Sequence, residues 1–265
     1  MRVASLGSGS KGNGTVVASG DTCLLVDCGF SLRETTRCLA RLGLAPGDID
    51  AILVTHEHSD HAAGVGTLSR GHGIPVHATH GTAASGRLGE CAALERFNAG
   101  EAFTVGSVTV RSVAVPHDAR EPCQYRLAAG GRELGILTDL GSITPHVVAA
   151  YRGCQGLVLE FNHDPQMLAD GPYPYAVKKR VGGDFGHLTN AQARQFLDHA
   201  DTTRLKMLFV AHISQQNNAP ELADAALSSW SGLGSCQVIH ATQETGFDWC
   251  DLRTSATFIE EAAQA

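Results

Sequence analysis

Short apolar runs separated by glycine or polar turns characterise the first part of the chain. Such runs, alternating or continuous over about four to eight positions, are typical of strands. They predict strands at Arg2–Leu6, Val16–Ser19, Cys23–Asp27 and Ile49–Thr55. The last run is continuously apolar, which indicates a strand buried on both faces. Ser31 is a typical helix N-cap and Gly43 a typical stop, so a helix is predicted over Leu32–Leu42.

The rest of the chain alternates between strand-like and helix-like patterns. Further strands are predicted at Pro75–Thr79, Val108–Val115, Gln124–Leu127, Leu134–Leu137, Gly156–Glu160, Arg204–Val210 and Gln237–His240. Helices are predicted at Thr144–Tyr151, Asn190–His199 and Pro220–Ser229. Strands and helices that interleave through short connections are typical of an α/β fold. Because no long linker divides the chain, we expect a single domain over residues 1–265.

Composition narrows the class of protein. The 265 residues are 43% hydrophobic and 18% charged, which is typical of a globular protein rather than a disordered or fibrous one. No apolar run reaches the roughly 18 residues that a membrane-spanning helix needs. The N-terminus reaches Gly7 before an apolar signal sequence can form. We therefore expect a cytoplasmic protein with no membrane partner.

Charge and cysteine content exclude two further classes. A net charge of −7 argues against a protein that coats nucleic acid by bulk charge, although it permits a local basic groove. The eight cysteines form no Cys-x-x-Cys pair, so we expect reduced core residues rather than a cysteine-rich zinc site.

The strongest chemical signal directly follows the apolar run at 49–54. Three imidazoles and a carboxylate lie within six residues, at His56, His58, Asp60 and His61. His56 and His58 are two positions apart, so they cannot share a helix face but can converge from a loop. A histidine-rich surface loop is the alternative. The position of the cluster after a buried strand favours a metal site, because sites in α/β proteins lie at such strand ends.

More potential ligands stand where later apolar runs stop. His117 follows the run ending at Pro116, Asp139 follows Thr138, and His212 follows Ala211. Each alone is more typical of a cap or surface residue, but together with the first cluster they indicate a metal centre. His240 also ends a predicted strand and competes with His212 as the last ligand.

The pattern His-x-His-x-Asp-His at residues 56–61 resembles the hallmark of the metallo-β-lactamase superfamily. Asp27, His117, Asp139 and His212 follow the order of that family's other motifs. Segments 6–14, 159–164, 186–190 and 211–218 are similar to its YycJ/WalJ/VicX-like branch, which is thought to act as a DNA exonuclease. Because segment 211–218 belongs to this resemblance, His212 is preferred over His240. The resemblance implies an α/β fold of the four-layer αββα sandwich type, with the metals at one edge of the packed sheets.

The resemblance also implies how two divalent ions are bound. One ion takes His56, His58 and His117, the second takes Asp60, His61 and His212, and Asp139 bridges both. Asp27 orients a ligand rather than binding metal, and an ordinary buried, hydrogen-bonded aspartate is the alternative. This set of nitrogen and oxygen ligands, without thiolate, suits Zn²⁺ or Mn²⁺, and also Fe²⁺. Two such ions can lower the pKa of a shared water toward neutrality, so that the resulting hydroxide attacks a phosphoryl group.

Catalytic roles come from the same resemblance. Asp60 aims the attacking water, His187 protonates the leaving alkoxide, and Glu160 holds His187. An alkoxide is a poor leaving group, so it needs an acid that is effective near neutral pH. The alternative for His187 is a cap on the helix that begins near residue 189.

Four residues are expected to contact substrate. Lys178, Lys179 and Arg180 form a basic run that can grip phosphates without reading sequence, and a solvated surface is the alternative. Asn217 is placed with them, or else it fixes the loop of His212 or caps the helix that begins at Pro220.

The function expected on these grounds is a metal-dependent phosphodiesterase that acts on DNA, with RNA also open, and that works from an end. The alternative is hydrolysis of a thioester, lactone or lactam at the same two metals. Only the phosphodiesterase needs the pair Glu160 and His187, because an acyl substrate has a better leaving group. The sequence specifies no oligomeric state.

Overall fold

Two seven-stranded sheets form the centre of the fold in the computed structural model, which describes residues 1–252. The strands are β1 (Arg2–Gly7), β2 (Gly14–Ser19), β3 (Thr22–Val26), β4 (Ala51–Leu53), β5 (Pro75–Thr79), β6 (Ala93–Phe97), β7 (Ala102–Val105), β8 (Val108–Ala114), β9 (Cys123–Ala129), β10 (Arg132–Leu137), β11 (Gly156–Glu160), β12 (Met207–Ala211), β13 (Gln237–His240) and β14 (Phe247–Asp251). The first sheet has the order β14-β1-β2-β3-β4-β5-β6, and the second has the order β13-β12-β11-β10-β9-β8-β7.

Helices connect the strands. They are α1 (Leu32–Arg41), α2 (Ser59–Ala62), α3 (Val65–His72), α4 (His80–Ala84), α5 (Pro145–Ala150), α6 (Pro165–Asp170), α7 (Tyr175–Val181), α8 (Asn190–His199) and α9 (Pro220–Leu227), with a 3₁₀ turn at Pro46–Asp48. The Ser31 side chain accepts the Glu34 N–H, so Ser31 is the N-cap of α1 as predicted.

Three apolar layers hold these elements together. The layer between the sheets contains Leu24 from the first sheet and Tyr125 and Phe209 from the second. A second layer joins α1 and α3 to the outer face of the first sheet, and a third joins α5, α8 and α9 to the outer face of the second. Burial of each large side chain contributes about 1.5–3 kcal/mol. The result is the predicted four-layer αββα sandwich.

The strand directions bring several strand ends to one edge. β3, β4, β5 and β6 are parallel neighbours, as are β10, β11, β12 and β13. Neighbouring parallel strands end at the same edge, so the loops that follow them meet there. The buried Tyr125 hydroxyl donates to the Val54 carbonyl across 2.6 Å, which ties the second sheet to the loop after β4.

Several elements escape the apolar pattern for identifiable reasons. The strand predicted at Ile49–Thr55 spans only Ala51–Leu53, because Thr55 N–H already donates to the Asp27 side chain. β6 and β7 have mostly exposed or half-exposed residues, and α7 has no buried residue. None of these three elements therefore has the continuous buried apolar face that would have predicted it from sequence. The structure also adds α3, α4, α6 and β14, where the pattern predicted no complete element.

Two class predictions concern the whole chain. All eight cysteines are free thiols and six are buried, as expected of reduced core residues. Within residues 1–252, no helix combines the length and apolar character needed to cross a membrane. The predicted domain over 1–265 includes residues 253–265, which lie outside the described residues.

Candidate active site

Three residues at the shared edge have an unusual backbone. Asp27, Asp139 and His212 have φ angles of 61°, 53° and 52°, and no other non-glycine residue in the described part of the chain has positive φ. This left-handed region costs about 1–3 kcal/mol where it is strained, and such residues concentrate at functional sites. Each of the three directly follows a strand end (β3, the turn after β10, and β12), and each turns its side chain into one cluster.

The predicted ligands form that cluster in two sets. One set comprises His56, His58 and His117, and the other comprises Asp60, His61 and His212. Within each set, potential ligand atoms lie within 4.8 Å of one another. The structure therefore brings together both trios that the resemblance implied, at distances compatible with a shared ion.

Asp139 lies between the two sets. Its Oδ2 is 3.1 Å from His61 Nε2, and its Oδ1 is 3.9 Å from His117 Nε2. A carboxylate can offer one oxygen to each side, so this position suits the predicted bridging role.

Neighbouring groups hold the imidazoles in place. Asp27 Oδ2 lies 2.8 Å from His61 Nδ1 and accepts the Thr55 hydroxyl across 2.9 Å. His117 Nδ1 donates to the Gly186 carbonyl across 3.0 Å. In each case the Nδ1 contact leaves Nε2 directed into the cluster. Asp27 therefore lies where a ligand-orienting carboxylate is expected.

The cluster contains buried polar atoms that the protein itself does not satisfy. In the described residues, His56 Nε2, Asp139 Oδ2 and His212 Nε2 are buried and make no hydrogen bond. Burying such atoms without partners is costly, and native proteins rarely do it. A divalent cation satisfies imidazole nitrogens and carboxylate oxygens together, so these residues fit a metal centre.

Burial and neighbouring charge set the protonation states. Burial lowers the pKa of His56 well below its usual value, which keeps the imidazole neutral and able to bind metal. Burial alone would raise the pKa of Asp139, but the neighbouring imidazoles of His212 and His61 hold it well below its usual range. Burial alone would lower the pKa values of His61 and His212, but Asp139 and Asp60 raise the first well above its usual value and the second to about 10. Neutral imidazoles and ionised carboxylates are the forms that bind cations, so a metal ion would displace a proton from each of these two histidines.

Glu160 and His187 form a pair beside the cluster. Glu160 is fully buried, accepts the Leu140 N–H across 2.6 Å, and has its Oε2 3.1 Å from His187 Nδ1. Burial alone would raise the pKa of Glu160, but the His187 and His212 imidazoles lower it to about 2. The adjacent helix α8 is capped by Thr189, whose side chain accepts the Gln192 N–H. The alternative that His187 caps this helix is therefore unnecessary.

The basic run divides in space. Arg180 forms an ion pair with Asp118, and its Nη2 lies 3.4 Å from His58 Nε2. Lys178 instead donates to the Ala169 carbonyl, and Lys179 is exposed on α7. Of these three cations, only Arg180 lines the cleft at the cluster.

Asn217 is buried away from the cleft. It is 1% exposed, and both its backbone N–H and its side-chain amide donate to Ser214 Oγ. The structure therefore does not bring Asn217 to the substrate side, and its contacts instead order the loop after His212.

Two residues that the sequence did not single out also belong to the site. Asp118 Oδ1 lies 3.7 Å from His58 Nε2, and Asn13 Nδ2 lies 3.1 Å from His61 Nε2. Asp118 could have been found from the sequence, because it directly follows the candidate ligand His117. Asn13 could not, because it lies in a turn far from the other site residues along the chain. His240, the rival of His212, pairs with Asp224 outside the cluster.

A cleft of about 510 Å³ opens onto the cluster. Its lining includes His58, Asp60, Asp139, Arg180, His187 and His212. This volume suits a small ligand or one end of a larger one. Potential metal ligands, His187 and two arginines, Arg87 and Arg180, thus face the same space.

Comparisons with known proteins agree with this geometry. Residues 22–213 match the family described as Beta-lactamase superfamily domain. The chain is 36% identical to exodeoxyribonuclease YycJ of Bacillus anthracis over 246 residues, which cover 89% of this chain and 93% of that protein. It is 35% identical to exodeoxyribonuclease WalJ of Streptococcus pneumoniae over 224 residues, covering 82% and 83% of the two chains.

The fold also matches solved structures. The metallo-beta-lactamase fold protein YhfI from Bacillus subtilis superimposes with a TM-score of 0.71 at 18% identity, covering 94% of this chain and 99% of YhfI. With these matches and a divalent-metal site of histidines and aspartates at the sheet edge, the chain belongs to the beta-lactamase superfamily, in the branch of YycJ and WalJ.

Proposed function

We propose that this chain is a metal-dependent phosphodiesterase that removes nucleotides from an end of DNA. The observation that carries the proposal is the His187–Glu160 pair: His187 lines the same cleft as members of both ligand trios, and the buried Glu160 holds it from behind. Such a pair is needed to protonate an alkoxide leaving group. The two relatives named exodeoxyribonucleases, which align over most of their length, support the same activity.

The proposed cofactor is a pair of divalent ions, Zn²⁺ or Mn²⁺. His56, His58 and His117 would hold one, and Asp60, His61 and His212 the other, with Asp139 between them. Such ions supply Lewis acidity toward a phosphoryl oxygen and make water acidic enough to ionise near neutral pH.

The protein's own groups position and protonate the substrate. Glu160 holds His187 by Nδ1, which leaves Nε2 free to donate a proton to the departing oxygen. Asp60, whose side chain is 22% exposed, accepts a hydrogen bond from the attacking water and aims it at phosphorus. The guanidinium of Arg180 exchanges its contact with Asp118 for a phosphate oxygen of the bound strand.

The proposed activity is tested with DNA labelled at either end. Protein loaded with Mn²⁺ or Zn²⁺ should release labelled mononucleotide from one end only, and a chelator should stop the release. Single-stranded DNA, double-stranded DNA and RNA are compared in parallel, because the residues that line the cleft do not specify which of these substrates binds. Product length is read on a denaturing gel.

The same assay separates the alternatives. Internal fragments would indicate an endonuclease, and preference for RNA would change the substrate. Turnover of a thioester or lactone without cleavage of any nucleic acid, with every metal tried, would refute the proposal.

The role of Asp27 predicts a change in metal affinity. Asp27→Asn keeps the shape and tolerates the left-handed backbone, but it removes the carboxylate beside His61 Nδ1. We expect one of two metals to bind about 10- to 100-fold more weakly, as is usual for such supporting groups. Calorimetric titration of the metal-free protein measures this.

The matched control is Asp50→Asn. Asp50 accepts the Cys23 N–H and does not touch the cluster, so metal affinity should stay as in the unmodified protein. Equal affinities for Asp27→Asn and Asp50→Asn would contradict the orienting role.

A further inference from the structure

A second cavity lies on the other side of helix α7. Its volume is about 500 Å³, and its lining includes His163, Leu168, Ala169, Tyr175, Lys178 and Thr189. Val177 and Val181 line the reaction cleft, whereas Lys178 and Gly182 line this second cavity. One helix, about 10 Å across, therefore separates the two spaces.

The walls of the second cavity are mostly apolar, and its mouth has an exposed aromatic ring. Leu168 and Ala169 come from α6, and Tyr175 at the start of α7 is 81% exposed. In the described residues, three of the four large exposed apolar side chains lie between 175 and 185. Exposed aromatic rings beside cations are typical of surfaces that stack unpaired bases.

The polar groups of the cavity are poorly placed for a phosphate. The first turn of α8 is already satisfied, since Asn190 N–H donates to the His163 carbonyl and Gln192 N–H donates to Thr189 Oγ1. Lys178 donates to the Ala169 carbonyl. An anion would therefore find few free donors here, whereas a flat, largely apolar ring with polar edges fits.

His163 supplies an edge for hydrogen bonding. It is 1% exposed, it lines the cavity, and its Nδ1 makes no hydrogen bond. Burial lowers the pKa of His163 to about 4, so the ring is neutral near pH 7 and can both donate and accept. A nucleobase edge offers both kinds of group.

We infer that the second cavity is a nucleobase subsite, which holds an unpaired base of the strand whose phosphate occupies the reaction cleft. This inference rests on the proposed function. Tyr175 stacks on the base, His163 meets its edge, and α7 separates it from the phosphate. The separation of about 10 Å corresponds to a few nucleotides of a strand. The exposed Lys179 on the same helix complements the intervening phosphates.

The test compares two esters with the same leaving group. Thymidine 5′-(p-nitrophenyl phosphate) carries a base, and methyl p-nitrophenyl phosphate does not. Dinucleotide versions extend the reach of the base across α7. For the metal-loaded protein, the ratio of kcat/KM for base-containing to methyl ester should rise with each added nucleotide until a base reaches across α7.

Two variants address the cavity. Tyr175→Ala removes the stacking ring, and Ala169→Trp fills the space from an exposed position. Each should lower the ratio about tenfold or more, in line with the strength of base–aromatic stacking. Ala225→Trp adds the same bulk at an exposed position on α9 and should leave the ratio unchanged.

Binding gives a second readout that does not need turnover. A labelled thymidine oligonucleotide should bind the metal-free protein more tightly than an abasic one, and Tyr175→Ala should abolish the difference. A ratio that does not rise with added nucleotides, or an unchanged ratio for the longer esters in both cavity variants, would overturn the subsite. Failure of the unmodified protein to hydrolyse either ester or end-labelled DNA would instead refute the proposed function.

Discussion

Replacing Asp60 with alanine is expected to abolish most metal-dependent cleavage of DNA. Asp60 Oδ2 lies 3.4 Å from His61 Nε2 and 3.6 Å from His212 Nε2, so the variant leaves that set with two imidazoles. A metal ion supplies several kcal/mol of transition-state stabilisation, so we expect kcat/KM to fall by about three orders of magnitude. Steady-state kinetics measures this loss, and elemental analysis should find fewer than two ions per chain.

The loss must be specific to the carboxylate at the cluster. Asp184→Ala removes an exposed aspartate from the loop after α7 and should leave both activity and metal content unchanged. Burial alone would raise the pKa of Asp60, but His61 and His212 lower it, so the carboxylate is ionised throughout the assay range. Full metal content and full activity in Asp60→Ala would contradict the assigned site.

Replacing His187 with alanine is expected to slow cleavage of DNA by about 10²- to 10⁴-fold, the usual contribution of a general acid. The loss should depend on the leaving group. The p-nitrophenolate of a p-nitrophenyl ester leaves without protonation, so hydrolysis of this ester should decrease far less than cleavage of DNA. Parallel assays of the two substrates measure the difference, with metal content checked because His187 also lies near Asp139 and His212.

A substitution of the neighbouring Glu160 tests whether loss of activity comes from lost proton donation or from a disturbed structure. Glu160→Gln keeps a hydrogen-bond acceptor near His187 Nδ1 but removes the charge that favours the protonated imidazole. We expect a smaller loss than in His187→Ala, with the same dependence on leaving group. If both substrates slowed equally in His187→Ala while both metals remained, the acid role would be wrong.

The fold was predictable from sequence where buried segments form runs of apolar residues. The core strands read as apolar runs, and the Ser31 cap and Gly43 stop mark the ends of the first helix. Helix α7 was not predictable in this way, because none of its residues is buried. Yet α7 forms the wall between the cleft and the second cavity, so a chemically important element had no hydrophobic signal.

Candidate ligands were predictable because their chemistry is local. His56, His58, Asp60 and His61 stand within six consecutive residues, and His117 and Asp139 follow apolar runs. Strand ends gather at one edge when strands run parallel, which makes such positions informative without coordinates. The choice between His212 and His240 was different, since both end strands of the same sheet. Residue type and position alone could not decide between them.

The amino-acid sequence by itself therefore determined the fold class, the kinds of ligand and most of their positions, because apolar runs and donor types are properties of short segments. Only the tertiary structure decided which side chains meet. It placed Arg180 at the cleft and Lys178 behind it, and it buried Asn217. The family resemblance had implied roles for Asp27 and Glu160, but only the structure gave the contacts of Asp27 with His61 and of Glu160 with His187. These contacts join residues 34 and 27 positions apart. Their geometry depends on how two sheets and their loops pack, which no local pattern specifies.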